Sequence, residues 1–252
     1  MYKIFANTLF TGQRLVFVPE CHSTNSLASE LASQSILSEG AVVITSNQTA
    51  GRGQRGNVWE TTEGMNLTFS VLLKPGFLPV KSQFYITIVT SMAIVDFLKE
   101  QSVTSTKIKW PNDILVGQKK ICGILIENAV QRDSIQQSIV GIGVNINQKE
   151  FAVQTATSLS LVAKTDFDLN QMLNLLLEKF ERRYLQLRSG KLTELKKEYL
   201  DNLFGFRSLG SFISDGRRFE GTIDDVGENG ELILLVDSKS ERYFLKEIAF
   251  VI

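Results

Sequence analysis

The chain has 252 residues, 43% of them hydrophobic, and its Lys plus Arg and Asp plus Glu totals are both 27. This length and composition predict a globular protein with a substantial core, built as one large domain or as one domain with a small appendage. Because the charge is balanced, no overall field favours nucleic acid or an anionic membrane, although a local basic site stays open.

Export and membrane insertion are not predicted. Residues 1–20 alternate apolar and polar side chains and lack the apolar core of a secretory signal. The longest apolar run, residues 84–98, is too short and too polar to span a bilayer. Two distant cysteines, Cys21 and Cys122, and the single histidine, His22, support neither a disulfide framework nor a zinc site. We therefore expect a cytoplasmic protein with no membrane partner.

The first part of the chain mixes strand-like runs with helical patterns. Strand-like runs lie at residues 14–20, 41–47, 66–74, 106–116, 119–130 and 135–147. Helical periodicity covers 23–34 and 82–100. A polar turn joins the last two runs, which indicates an antiparallel hairpin. We therefore predict an α+β fold with a mixed, largely antiparallel sheet and flanking helices, and not a doubly wound parallel fold.

The pattern changes twice towards the C-terminus. Apolar residues recur at helical spacing from Leu169 to about Leu203, with a break at Ser189 and Gly190. Beyond Gly205, short alternating strands are separated by Asp-Gly and Glu-Asn-Gly turns, the pattern of a small antiparallel barrel. We predict two domains, residues 1–203 and 204–252.

Gly51, Gly53 and Gly56 have the G-x-G-x-x-G spacing of a dinucleotide-binding loop. That interpretation fails, because a strand-like run follows where a helix is required and no carboxylate stands about 20 positions on. A P-loop also fails, since Asn57 and Val58 occupy the positions of its Lys and its Ser or Thr. The loop is therefore a different kind of anion site, or a flexible loop whose arginines are solvated.

Arg52 and Arg55 favour anion binding by this loop. Glycines let the backbone approach a ligand closely, and guanidinium groups donate to carboxylate or phosphate oxygens. Lys120, which follows the turn 109–113, is a further cation for such an anion. For the lysines at this turn, plain exposure to solvent is the alternative.

Two other segments can contribute polar or ligand-contacting groups. The motif STN at 23–25 opens a predicted helix, where free N–H groups and hydroxyls can receive a carboxylate or carbonyl, although simple capping explains it alone. Gly141 and Gly143 interrupt an apolar strand, which indicates close approach by a ligand or another backbone, or a bulge.

Taken in order, the segments STN (23–25), QTAGRGQRGNVW (48–59), KWPND (109–113), KICGILIE (120–127) and GIGVNIN (141–147) resemble the biotin protein ligases. The resemblance covers nearly the whole chain. It implies a class II synthetase-like catalytic fold followed by a small SH3-like β-barrel. It also implies that biotin and MgATP form biotinyl-5′-AMP and pyrophosphate. Biotin then passes to one lysine of a biotin carboxyl carrier domain, in acetyl-CoA carboxylase or a related carboxylase.

By motif position, the resemblance assigns catalysis to Lys120, Arg52 and Asp113. Lys120 would contact the carboxylate and phosphate as they react, and Asp113 would lie near Mg²⁺ and the incoming lysine. Asn145 would help to hold the nucleotide. The resemblance and the motif positions together predict a biotin and adenylate site comprising Ser23, Thr24, Asn25, Gln48, Gly51, Arg52, Gly53, Arg55, Trp59, Lys109, Trp110, Asn112, Lys120, Gly123, Gly141, Gly143 and Asn145. A separate metal-binding motif is not predicted.

The sequence departs from the family pattern in two ways. Position 54 is Gln where many members carry an arginine that helps to retain the adenylate, so either Arg55 compensates or the intermediate is held less tightly. The chain begins in the catalytic domain, without the helix-turn-helix of repressor-type members, so we expect no DNA partner. A lipoate or octanoate ligase or transferase and a non-catalytic biotin or adenylate sensor are the alternatives. A homodimer formed through strand edges is left open.

Overall fold

A seven-stranded sheet forms the centre of the larger part of the computed structural model, which describes residues 2–4 and 7–251 except for the side chain of Arg55. Its strands are β1 Leu15–Cys21, β2 Val42–Gln48, β3 Leu67–Leu73, β4 Thr106–Lys109, β5 Asp113–Val116, β6 Lys119–Gln131 and β7 Ser134–Val144. Their order is β1-β2-β3-β7-β6-β5-β4. Only β1 and β2 pair in parallel among these described strands, which confirms the predicted mixed, largely antiparallel sheet.

Helices cover both faces of this sheet. They are α1 Thr24–Ser33, α2 Phe84–Glu100, α3 Leu159–Ala163, α4 Leu169–Arg188 and α5 Leu192–Asp201. The apolar face of α1 packs with Val43 of β2, Leu72 of β3 and Ile139 of β7. The larger cluster on the opposite face includes α2, which is buried on nearly every side, together with α4 and α5. Among the described residues, no helix combines the length and apolar character that crossing a membrane requires.

Alternation along the central strands determines which residues face α1. Ile139 packs towards α1, so Gly141 and Gly143, two and four positions on, lie on the same face of β7. By the same rule, Leu72 places Ser70 and Thr68 on that face of β3. A row of small and polar side chains therefore continues the sheet surface beyond α1. This surface is the base of the candidate site.

A second, antiparallel sheet follows the helices. It contains β8 Leu209–Ser214, β9 Arg217–Val226, β10 Leu232–Val236, β11 Lys239–Tyr243 and β12 Ala249–Val251, in the order β11-β10-β9-β8-β12. Left-handed backbone at Asp215 and Gly216 forms the predicted Asp-Gly turn between β8 and β9. The separate antiparallel sheet is as predicted, whereas closure into a barrel and the division at 203 and 204 stay predictions.

The second sheet is held firmly against the first. Phe212 and Leu234 belong to the same buried cluster as the central strands. The Trp110 indole Nε1 donates to the Gly230 carbonyl at 2.8 Å, and Lys196 of α5 pairs with Asp225 of β9 at 2.9 Å. These contacts fix the C-terminal segment beside the turn 110–112.

A partly buried charge cluster joins α2, α4 and α5 behind the sheet. Arg183 of α4 donates two hydrogen bonds to Asp96 of α2, at 2.7 and 3.0 Å, and pairs with Glu198 of α5 at 2.7 Å. Burial opposes the charge on Asp96, but the hydrogen bonds from Arg183 and Arg182 outweigh it and lower the pKa of this carboxyl. The cluster therefore stays ionised at neutral pH and fixes the helix layer that supports the sheet.

Candidate active site

A cavity of about 490 Å³ opens on the α1 face of the central sheet. Its walls are the start of α1, the loop 52–59, the turn 109–113 and the segment 245–250. The predicted site residues that line it are Ser23, Thr24, Asn25, Gln48, Arg52, Gly53, Trp59, Lys109, Trp110, Asn112, Asp113, Lys120, Gly123, Gly141 and Gly143. All five sequence segments that carry the resemblance therefore meet at one cavity.

One end of the cavity is a network of uncharged polar groups. The N–H of Thr24, in the first turn of α1, donates to Gln48 Oε1 at 2.8 Å. The Ser70 hydroxyl donates to Asn25 Oδ1 at 2.7 Å and contacts Thr24 Oγ1 at 2.8 Å. The STN motif is therefore tied to two strands of the sheet, which is more than simple helix capping requires.

Glu127 extends this network towards the glycine loop. Its Oε2 accepts hydrogen bonds from Asn25 Nδ2 at 2.7 Å and from Arg52 Nη2 at 3.0 Å. Arg52 is thereby attached to the base of the cavity through a charged hydrogen bond. The sequence interpretation assigned no role to Ser70 or Glu127, because each contributes to the site only through hydrogen bonds to residues that are distant in sequence.

Replacing Ser70 by alanine tests whether this network positions the cavity wall. The change removes the donor to Asn25 Oδ1, which is buried, so we expect a loss of about 1–2 kcal/mol in the free energy of unfolding. We also expect a severalfold rise in KM for the acid substrate that the family resemblance implies for this cavity. Urea denaturation and steady-state kinetics measure the two effects. Ser29→Ala, an exposed change on α1, should leave both within error.

The glycine loop is a short hairpin. Trp59 N donates to Gly51 O at 3.0 Å, and Gly53 N donates to Asn57 O at 2.7 Å. A methyl group added at Gly51 would lie 2.2 Å from the Trp59 carbonyl oxygen, so this glycine permits the chain to fold back on itself. Gly51 does not line the cavity; its role in this structure is to close the hairpin.

The indole of Trp59 rests on two of the predicted site glycines. A methyl group added at Gly143 would lie 2.4 Å from Trp59 Cε2, and one at Gly123 would lie 3.2 Å from Cζ3. We call the surface of Gly123 and Gly143 the glycine floor. Gly141 and Gly143 keep regular register with β3 and β6, so the bulge considered from the sequence is wrong at these positions. The space above β7 is instead filled by the side chains of Trp59 and, at Gly141, of Asn25.

The other end of the cavity is charged. Lys120 Nζ pairs with Asp113 Oδ1 at 2.7 Å and lies 5.5 Å from the centroid of the Trp59 ring. The β5–β6 hairpin brings these residues together, with a bulge between Ile114 and Leu115 that offsets their strands. A lysine beside a carboxylate at a cavity wall can meet an incoming anion.

Cationic side chains outnumber carboxylates in the cavity wall. The charged residues among those that line it are Arg52, Lys109, Asp113, Lys120 and Lys246. This is the local basic site that the neutral total charge leaves open, and it suits anionic ligands. Lys109 is itself held in place by Phe250, whose ring centroid lies 5.7 Å from Lys109 Nζ.

The C-terminal sheet completes the cavity, which the sequence interpretation missed. Leu245, Lys246, Ile248, Ala249 and Phe250 line it. The available signal was Trp110, whose position in a turn called for a buried partner, and that partner is Gly230 of the second sheet. Lys246 has a positive φ of 78°, which turns the chain between β11 and β12 beside the cavity.

Besides Gly51, one described residue of the predicted site does not line the cavity. Asn145 is buried outside the cavity, where its Nδ2 donates to Thr157 O at 3.0 Å. Direct nucleotide contact by Asn145 therefore has no support in this geometry. The side chain of Arg55 lies outside the described part of the chain, so its compensation for Gln54 stays a prediction. Gln54 itself lines the cavity.

Neither a thiol nucleophile nor a multidentate metal site is present in the described cavity. Burial raises the pKa of the Cys122 thiol well above neutral pH, despite the nearby charge of Lys120. Within residues 2–4 and 7–251, His, Cys, Asp and Glu form no group of three or more suited to a metal ion. A divalent cation here would therefore need most of its oxygen ligands from a substrate.

The chain is similar in sequence to known proteins over most of its length. The sequence profile of the biotin/lipoate A/B protein ligase family matches residues 18–145. The chain is 31% identical over 242 residues to the bifunctional ligase/repressor BirA of Bacillus subtilis, covering 94% of this chain and 74% of that protein. It is 28% identical over 237 residues to the biotin–(acetyl-CoA-carboxylase) ligase of Mycobacterium tuberculosis, covering 90% and 85%.

A solved structure shares the whole architecture. The biotin protein ligase from Aquifex aeolicus, solved in complex with biotin and ATP, superimposes with a TM-score of 0.79 over 95% of this chain and 99% of that chain. Its identity of 24% supports likeness of fold. Together with the profile match and the relatives above, the STN, glycine-loop and KWPND motifs that meet at this cavity establish that the chain belongs to the biotin/lipoate A/B protein ligase family.

Proposed function

We propose that this protein is an ATP-dependent ligase that activates biotin as biotinyl-5′-AMP and transfers it to a lysine of a biotin carboxyl carrier domain. The observation that carries this proposal is the two-ended cavity. Uncharged hydrogen-bonding groups lie at one end, with Arg52 held beside them by Glu127, and Lys120 and Asp113 lie at the other. We place this activity in the cytoplasm.

The uncharged end favours biotin over lipoate. The ureido ring of biotin offers both donors and a carbonyl acceptor, which Thr24, Asn25 and Gln48 can match. The dithiolane ring of lipoate has no comparable groups, so it could not join this hydrogen-bond network. A site built for hydrogen bonds discriminates strongly against a ligand that lacks them.

The charged end supplies what acid activation requires. A carboxylate oxygen of biotin attacks the α-phosphorus of ATP, the bond to the bridging oxygen of the β-phosphate breaks, and pyrophosphate leaves. Two anions must be held together while this happens, and fixed positive groups lower the barrier. We assign Lys120 to the reacting carboxylate and phosphate, and Arg52 to the same anions once it leaves Glu127.

Mg²⁺ fits this cavity as an ion carried in with ATP. Mg²⁺ is commonly held by one or two carboxylates together with substrate phosphates and water. Asp113 is the one carboxylate among the described residues that line the cavity. It would hold the ion, which neutralises phosphate charge when bound.

In the second step the carrier lysine attacks the acyl carbon of the mixed anhydride, and AMP leaves. The lysine must lose a proton to become nucleophilic, and Asp113 in the cavity wall can accept it. The glycine hairpin and the segment 245–250 enclose the cavity, which protects the anhydride from hydrolysis.

Exchange of labelled pyrophosphate into ATP tests the first step. We expect exchange that depends on biotin and on Mg²⁺, with little or none when lipoate or octanoate replaces biotin. Exchange supported by lipoate alone would assign the protein to the other branch of the family. Tight biotin binding without exchange would favour a non-catalytic sensor.

A further inference from the structure

We propose that the Trp59 indole is an intramolecular competitor for the acid-binding surface of this cavity, so that biotin must displace it from the glycine floor before it can bind. This inference rests on the proposed function, because it concerns the acid that the same cavity takes. Its basis is the close approach of one side chain to two residues that line the cavity.

The indole occupies the space that a ligand on the glycine floor would need. Its Cε2 lies 2.4 Å from the position of a methyl group on Gly143, and its Cζ3 lies 3.2 Å from one on Gly123. An atom as small as a methyl carbon has no room at Gly143. A ligand that contacts this glycine therefore cannot coexist with the indole in its present place.

The indole in this place has an unpaired hydrogen-bond donor, which lowers the free-energy cost of displacing it. Trp59 Nε1 is buried without a hydrogen-bond partner among the described residues. A buried donor that loses water and gains no partner is costly. The contact with Lys120 offsets part of this cost, since the Lys120 ammonium lies 5.5 Å from the ring centroid. Entry of a carboxylate beside Lys120 would weaken that contact as well.

The hairpin can carry the indole away without unfolding the sheet. Trp59 follows directly on the glycine loop, which is joined to the sheet surface by the Arg52–Glu127 pair. Both partners of that pair are partly exposed, with side-chain accessibilities of 47% and 41%, so it is a weak attachment. Opening at the hairpin therefore leaves the core unchanged. Because biotin binds only to molecules in which the floor is free, its apparent affinity equals the intrinsic affinity multiplied by the fraction of such molecules.

Fluorine NMR of protein labelled with 5-fluorotryptophan tests the proposal, because the chain has only two tryptophans. Trp59→Phe assigns the two resonances. The solvent isotope shift of each resonance reports its exposure. Saturating biotin, added without ATP, should move the Trp59 resonance to a solvent-exposed position. The Trp110 resonance should stay dispersed, since its indole is buried and bonded to Gly230.

Two alanine variants provide a matched pair. Gly143→Ala places a methyl group against the indole, so the Trp59 resonance should be exposed without any biotin. Gly141→Ala places one 2.3 Å from Asn25 Oδ1 instead, so the Trp59 resonance should keep its original position. A dispersed Trp110 resonance shows that a variant is folded. If a variant lacks this resonance, the biotin titration of the unmodified protein decides the test.

Specific outcomes overturn the proposal. If calorimetry shows that biotin binds while the solvent isotope shift of the Trp59 resonance stays unchanged at saturation, the indole does not compete. A Trp59 isotope shift equal to that of free 5-fluorotryptophan in the unmodified protein has the same meaning. Failure of biotin to bind at all would instead count against the proposed function, so the two failures are distinguishable.

Discussion

Lys120→Ala should lower the rate of biotin-dependent pyrophosphate exchange by about a hundredfold, the scale of losing one donor to transition-state charge. Lys120 Nζ lies at the cavity wall, 2.7 Å from Asp113, and its removal leaves that carboxylate facing the incoming anions. The loss should appear mainly in kcat, because negative charge on the bridging and leaving oxygens grows during the reaction. Exchange kinetics at saturating biotin and ATP measure it.

Lys119→Ala is the matched control for this change. Lys119 is the neighbouring lysine on β6, it is exposed, and it does not line the cavity. We expect exchange within about twofold of the original rate, as for most solvated surface charges. Equal losses in the two variants, or near-normal exchange in Lys120→Ala, would show that the reactive lysine has been assigned incorrectly.

Arg52→Ala should lower kcat/KM for biotin in the same reaction by tenfold to a hundredfold. A hydrogen bond to a charged group contributes about 1.5–3 kcal/mol, and Arg52 can donate such bonds to a carboxylate or phosphate once it leaves Glu127. Arg52→Lys should recover part of the loss, because it restores the charge but not the planar pair of donors. Initial rates over a range of biotin concentrations measure the effect.

Arg132→Ala is a suitable control, since Arg132 is an exposed arginine in the β6–β7 turn outside the cavity wall. It should retain full activity. If Arg52→Ala acts only by releasing Glu127, then Glu127→Gln should rescue it. Complete rescue would make Arg52 a structural partner of Glu127 and contradict its role as a ligand contact.

The fold was largely predictable because its signals are local. The β6–β7 hairpin, the apolar helix α2 and the break between α4 and α5 all follow from periodicity and turn residues within a few positions. The short helix α3 escaped prediction, since five residues carry too little periodic pattern. The order of the strands in the sheet could not be predicted from the sequence, because strand pairing is decided by long-range packing.

The site was predictable where glycines or charged residues give a local signal in the sequence. The motifs around Arg52, Asp113 and Lys120 meet at one cavity. Ser70 and Glu127 were missed because a serine and a glutamate in strands carry no local signal of the partners they meet. Their hydrogen bonds run to Asn25, which is distant in sequence.

The assignment of Asn145 to the nucleotide stays a prediction. Asn145 lies just after β7, and its amide Nδ2 donates to Thr157 O in the interior. Asparagine at that position ties two backbone segments together. The expected consequence of Gln54 for adenylate retention stays a prediction, and it depends on how the hairpin closes over bound adenylate.

Transfer of biotin to an apo carrier domain tests the central claim most directly. The protein would be incubated with MgATP, the apo domain and equal amounts of biotin and lipoate, and the intact mass of the domain measured. We predict a single biotinyl addition, absent when the acceptor lysine is replaced by arginine or when ATP is left out. Lipoyl addition without biotinyl addition would contradict the account.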